Sequence, residues 1–394
     1  MKRLPAVSRS IDTSFKSSPR QYELPQKTGV ALIIVTMFIV VFGIIMLYST
    51  TSGNVGASLL IKQVTWISIG IAGATAVNII GYKNILPYAK YFLIISCLML
   101  IAARFCRPIN GAYRWIPIPG LGNIQPSEFA KLSLILFLSH YLPKHQRLLA
   151  STVQAIIPPI IISCVVLLLI LIGKDLGTTV LLTLVVWLMI ITSGVKWRSV
   201  YTLVPLCFAP LVLFYLEHFD KMRWARITSF LNPEFYQKTT GYQLWFSILA
   251  LGSGSWTGLG FAKSRMKAEY LPESHTDFIL SIVGEELGYI AILSVIIAYI
   301  LFLVFSVFIC TRTKEKEGIL LGFGITAMIT MQAIINLGVV SGAFPTKGMP
   351  APFISYGGSN MVVCLIGVGL IVSISHFKNK IDNMNIVGAK LKDI

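Results

Sequence analysis

The sequence predicts an all-α, polytopic membrane protein with about ten transmembrane helices. Both termini are expected in the cytoplasm, with a large external loop between spans 7 and 8. Three observations carry this reading: composition, long apolar runs and the distribution of basic residues. Of 394 residues, 55% are apolar and only 12% charged, against about 25% charged in an ordinary soluble domain. So little charge cannot cover a water-soluble body of this size. The unbroken apolar runs exclude a disordered chain as well.

Runs of roughly 17–25 mostly apolar residues mark spans. They fall near 29–48, 63–80, 86–103, 128–142, 152–172, 176–193, 199–216, 278–310, 318–341 and 353–375. The first is too long for a signal-peptide core, lacks a cleavage-site pattern and is followed by further spans. The fourth is short and contains Lys131. The eighth is long enough to tilt or protrude. No internal repeat is visible, so an inverted-repeat transporter gains no support.

The net charge is +17, from 33 Lys and Arg against 16 Asp and Glu. No nucleic-acid-binding signature accompanies it, and basic residues of membrane proteins collect on the cytoplasmic side. An inside N-terminus puts Lys83, Lys90, Lys144, Arg147, Arg312, Lys314, Lys316 and both tails in the cytoplasm. The short external loops then hold only Arg104, Arg107, Arg114, Lys174 and Lys347. The 217–277 loop carries little weight for orientation, because long loops follow the charge rule poorly. Residues 1–28 predict a disordered basic cytoplasmic tail, 29–376 the membrane domain, and 377–394 a second cytoplasmic tail. Five of the six cysteines sit in apolar runs and Cys106 in an external loop. Without CxxC spacing or a nearby His they read as small buried hydrophobes rather than zinc ligands.

Polar chemistry gathers on the expected outer face. The 104–127 loop, rich in Pro, Gly and aromatics, carries Arg114 and leads into a span opening with Glu128 and Lys131. A Glu and a Lys at i and i+3 share one helix face. They either pair with each other in burial or line a wet cavity. Asp175 stands at the start of a span, where helix capping alone accounts for it. Residues 241–256 predict an interfacial helix ending in a Gly-rich turn. Glu273, His275 and Asp277 then cluster just before the eighth span, and three titratable groups exceed what a cap requires. Inside that span Glu285 and Glu286 point about 100° apart, so they cannot serve one site equally. Lys347 lies in a Pro- and Gly-rich connection, GAFPTKGMPAPF, that suggests broken or re-entrant backbone. This mixture suits an anionic, lipid-linked substrate approached from the membrane, with cations for phosphate and a carboxylate for a proton.

Four stretches resemble the SEDS (shape, elongation, division, sporulation) family of bacteria. They are NGAYRWIPIPGLGNIQPSEFAKLSLILFLSHYL (110–142), KDLGTTVLL (174–182), LPESHTDFILSIVGEELGYI (271–290) and GAFPTKGMPAPFISYGGSN (342–360). The long polar N-terminal tail and the PFISYGG wording favour the division branch over the elongation branch. Where the family usually reads GGSS or GGSA this chain has Asn360, a difference read as one of packing rather than chemistry. Lys174 also departs from the family's more common wording before Asp175.

The resemblance implies a peptidoglycan glycosyltransferase of the bacterial cytoplasmic membrane, acting at the division septum. Its substrate would be lipid II, the undecaprenyl-pyrophosphate-linked disaccharide peptide. Its partners would be a class B penicillin-binding protein and other division proteins. The family's essential acid matches Asp277, which would act as general base. Family cations match Arg114, Lys131 and Lys347, and Glu128, Asp175, Glu273, His275 and Ser355 match further motif positions in substrate binding. Departure of pyrophosphate calls for positive charge from those cations or from a divalent ion such as Mg2+ or Mn2+, with no residue assigned as a metal ligand. The alternatives are a lipid II flippase, an elongation-type polymerase and a non-catalytic scaffold. A flippase should show a polar path to the cytoplasm, and only Glu285 and Glu286 go deeper.

Overall fold

The computed structural model describes residues 20–51, 56–109, 111–120, 122–151, 153–195, 228–272, 274–346 and 348–392. The expected span at 199–216, together with Glu273 and Lys347, lies outside them. Every other expected span coincides with a helix. In chain order these are α1 (Arg20–Thr51), α2 (Gly56–Ile80), and α3 (Tyr82–Ile85) leading through a 3-10 turn into α4 (Ala89–Arg104). There follow α5 (Pro126–Lys144), α6 (Gln146–Ser151), α7 (Ile157–Ile172) and α8 (Leu176–Thr192). The C-terminal part holds α9 (Tyr242–Ser253), α10 (Met266–Glu269), α11 (Ile279–Arg312), α12 (Lys316–Val340) and α13 (Gly358–Lys392). Residues 20–28 and 377–392, read from sequence as tail, continue α1 and α13.

Among the described residues six helices are long and apolar enough to cross a membrane, and α7 and α8 are shorter apolar helices. The chain is a multi-pass, largely helical membrane protein. Its centre is built by α5, α12 and α13, and α8 packs on α12. The apolar windows of α12 and α13 are 72% and 89% buried, whereas those of α2 and the α3–α4 unit are only 22% buried. The outer helices turn Ile34, Phe38, Ile69, Ile79, Ile94 and Leu98 outward, which costs nothing where the surrounding solvent is hydrocarbon.

Three local features depart from the expectation. The 104–127 connector contains a two-stranded antiparallel hairpin, β1 (Ile116–Ile118) with β2 (Gly122–Ile124), pairing Ile116 with Ile124. Its turn uses Gly120 at φ 83° and Gly122 at φ 103°, conformations that favour glycine. The last span begins at Gly358 rather than 353, because Pro352 and a left-handed Phe353 (φ 66°) keep the preceding residues in turns. The eighth span is broken at Gly288 (φ 75°, ψ −174°). The stretch 255–260 lies along that break: Leu259 and Gly260 amides donate to the Glu285 and Glu286 carbonyls, each at 2.9 Å. In return the Tyr289 and Ile290 amides donate to the Ser255 and Trp256 carbonyls at 2.9 and 3.3 Å. Backbone groups released by the kink are thereby satisfied by the loop, as burial at membrane depth demands.

The stretch expected to form an interfacial helix is helical as α9, Tyr242–Ser253. Leu244, Ser247 and Ala250 bury one face of it against α11 and α12. Ser247 Oγ lies 2.7 Å from Ser281 Oγ and donates to the Val340 carbonyl at 2.7 Å.

Candidate functional site

The site grows from the segment 348–360, on which three groups of polar residues converge. In the first, Asp175 caps α8. It accepts from Thr178 N at 3.3 Å, Thr178 Oγ1 at 2.9 Å, Gln125 Nε2 at 2.7 Å and Ser127 Oγ at 2.9 Å. Arg114 approaches the same carboxylate at 3.9 Å; its side chain is 30% exposed, while that of Asp175 is 3% exposed. The Gln125 amide donates to Ser359 Oγ at 3.0 Å, which ties this group to the start of α13. Capping accounts for part of Asp175's contacts; the polar side chains and Arg114 go beyond it.

The second group is the ion pair expected at the start of the fourth span. Lys131 Nζ lies 2.9 Å from Glu128 Oε2, and both side chains are buried. Lys131 also donates to Gln332 Oε1 at 3.0 Å. The amino group of Gln332 donates to the Pro350 carbonyl at 2.9 Å and to Asn360 Oδ1 at 3.0 Å. Of the two sequence alternatives for this pair, mutual pairing in burial is the arrangement observed.

The third group surrounds Asp277, which is half-buried just before the start of α11. Asn336 Nδ2 donates to the Asp277 carbonyl at 2.9 Å and the Met349 carbonyl at 2.7 Å. The Asp277 carboxylate lies against Gly348: a Cβ built there would fall 2.5 Å from Asp277 Oδ2. Beside it the Tyr356 amide donates to the His275 carbonyl at 3.0 Å, and the two rings are 6.0 Å apart. Ser355 Oγ accepts from the Ala351 amide at 2.8 Å, so this side chain braces the turn before α13. Gln63 of α2 holds that turn from the other side, through the Ser355 carbonyl and the Gly357 amide, each at 3.3 Å.

Glu285 and Glu286 have a different task. Glu286 accepts from Ser49 Oγ at 2.5 Å, Ala262 N at 3.0 Å, Ser264 N at 3.3 Å and Lys267 Nζ at 2.7 Å. Glu285 accepts from Ser264 Oγ and from the Arg265 and Met266 amides. Although the two acids point apart, both serve one loop, because that loop wraps the broken helix.

Sequence reasoning missed Gln332, Asn336, Gln63, Gln125 and Ser359. For the first two a signal exists: Gln and Asn one helical turn apart in an otherwise apolar helix share a face and need partners. Asn360 is more than packing, since it accepts a hydrogen bond from Gln332. Among the described residues no group of three or more His, Cys, Asp or Glu converges to hold a metal ion. The described cysteines are all free thiols.

A polytopic helical membrane protein with a built polar site where α5, α8, α11 and α12 begin or end against one strap is the class this geometry defines. The profile of the cell cycle proteins FtsW, RodA and SpoVE matches residues 27–380. The chain belongs to that family. A probable peptidoglycan glycosyltransferase FtsW of Geobacter metallireducens is 33% identical over 375 residues, covering 93% of this chain and 98% of the relative. Among solved structures, a chain of a peptidoglycan synthase complex that coordinates polymerization and crosslinking superposes with a TM-score of 0.74 at 25% identity. It covers 88% of this chain and 97% of that one. The rod shape determining protein RodA of Thermus thermophilus shares the fold, with a TM-score of 0.65 at 24% identity over 88% of this chain and 96% of RodA.

Proposed function

We propose that this protein is a peptidoglycan glycosyltransferase that polymerises lipid II on the outer face of the bacterial cytoplasmic membrane. Asp277 is the general base. It takes the proton of the acceptor sugar's 4-hydroxyl as that oxygen bonds to C1 of the donor sugar. The C1–oxygen bond to undecaprenyl pyrophosphate breaks, and the lipid pyrophosphate leaves. Arg114, the part-exposed cation of the site, faces the developing charge; Lys347 is proposed beside it. His275, Ser355, Glu273, Asp175 and the buried Glu128–Lys131 pair shape the substrate site around them.

The observation that carries this reading is the seat of Asp277. Its backbone is clamped by Asn336 and its carboxylate abuts a residue without a side chain. That is how a base is held at a fixed distance from a reacting hydroxyl. Near full-length similarity to proteins named FtsW supports the division branch, and with it a septal location. The synthase complex among the neighbours supports a class B penicillin-binding protein as partner.

The test is glycan-strand formation from lipid II by the purified protein with its penicillin-binding partner, whose transpeptidase is inactivated. Wild type should make polymer and Asp277→Asn should not. Equal activity in the two would remove Asp277 from the role. Lipid II translocation in vesicles without polymer would turn the reading toward the flippase.

A further inference from the structure

We propose that Asn360 is a positioning residue for Asp277, acting through the Gln332 amide and the backbone of 348–350. Lys131 can only donate and the Pro350 carbonyl can only accept. Gln332 lies between them, so its oxygen must face Lys131 and its amino group must face Pro350. One amino hydrogen is taken by Pro350, and the other goes to Asn360 Oδ1. Cys364 donates to the same Asn360 oxygen at 3.5 Å. Lys131 and Gln332 are each 1% exposed and Asn360 4%, so the network is shielded from bulk solvent.

One turn along α12, Asn336 repeats the arrangement on the Met349 and Asp277 carbonyls. Gly348, Met349 and Pro350 are therefore held as a row, with Gly348 forming the wall against the Asp277 carboxylate. Removing the Asn360 acceptor leaves a buried N–H unsatisfied. Gln332 then keeps only Lys131 and Pro350 of its three partners, its side chain is held less tightly, and the wall it supports through Pro350 loosens. Asn360 touches neither substrate nor base, and its effect falls on how well the base is aimed.

This inference rests on the reading of Asp277 as the base, and the experiment separates the two. The kcat and KM for lipid II polymerisation, and lipid II binding without turnover, are measured for Asn360→Ala and Asn360→Ser. Both are made in the wild-type and the Gln332→Met background. The milder Ser variant guards against poor folding of the Ala form. The expected result is a kcat loss of about tenfold in the wild-type background, with KM and lipid II affinity within about twofold. No further loss is expected beside Gln332→Met, because two members of one relay do not add. An equal loss in both backgrounds, a change confined to KM, or unchanged kcat overturns the positioning role. Full activity of Asp277→Asn overturns the reading of the base instead.

Discussion

Asp277, just before α11, and Gly348, between α12 and α13, meet without room for a methyl group. A Cβ at position 348 would stand 2.5 Å from Asp277 Oδ2, closer than non-bonded atoms approach. The absent side chain sets where the carboxylate can lie.

Gly348→Ala should therefore push the carboxylate aside. Displacing a reacting group by about 1 Å can cost on the order of 100-fold. Polymerisation by purified Gly348→Ala should fall by at least about tenfold while the protein still purifies as a monodisperse species. Activity equal to wild type would show that the contact does not constrain the base.

Gly288→Ala should act on stability. The residue sits at φ 75°, ψ −174°, a region essentially reserved for glycine, where a Cβ costs about 1–3 kcal/mol. That Cβ would also lie 2.4 Å from the Trp256 carbonyl oxygen. Thermal unfolding in detergent should show a lowered midpoint. An unchanged midpoint would mean that the kink relaxes into continuous helix.

The buried Glu128–Lys131 pair gives an asymmetric prediction. Lys131→Met alone strands a buried carboxylate and should destabilise by about 3–5 kcal/mol. Adding Glu128→Gln should recover most of that loss, since an uncharged pair leaves no bare charge. Unfolding midpoints of the two single variants and the double variant test this. A double variant less stable than both singles would contradict it.

Glu286→Gln should loosen the loop it holds. The carboxylate binds Ser49, Ala262, Ser264 and Lys267 together, and a neutral amide loses the ion pair and part of the acceptor capacity. Hydrogen exchange at the 262–267 amides should speed up by about tenfold or more, with α12 unaffected. Equal protection in the variant would place the loop's stability elsewhere.

The spans were legible because hydrocarbon imposes one strong rule, and a run of apolar residues obeys it whatever its neighbours do. Asp277, Arg114 and Asp175 stood out as candidates, because ionisable residues beside a bilayer are few and costly. Gly288 was not. Within a span rich in Leu, Ile and Val a glycine looks neutral, and only the approach of Ser255–Gly260 gives it a purpose. Gln332 and Asn360 were hidden for a related reason: a lone amide in an apolar helix announces a partner but not which one. Glu128 and Lys131 announced each other by spacing, yet their link to Pro350 runs through Gln332, a residue some two hundred positions away.

The splice at Gly288 has a mechanical consequence. A broken helix ordinarily works as a pivot, but here both faces of the break are stitched to 255–260 by the amides of Leu259, Gly260, Tyr289 and Ile290. Flexing the joint would tear all of those stitches together. The section of α11 before Gly288 and the neighbouring loop therefore travel as one plate, with Asp277 at its rim. Lys267 and Glu286 rivet that plate to Ser49 of α1. A push on α1 reaches the carboxylate as a tilt of the whole plate rather than as a bend within it.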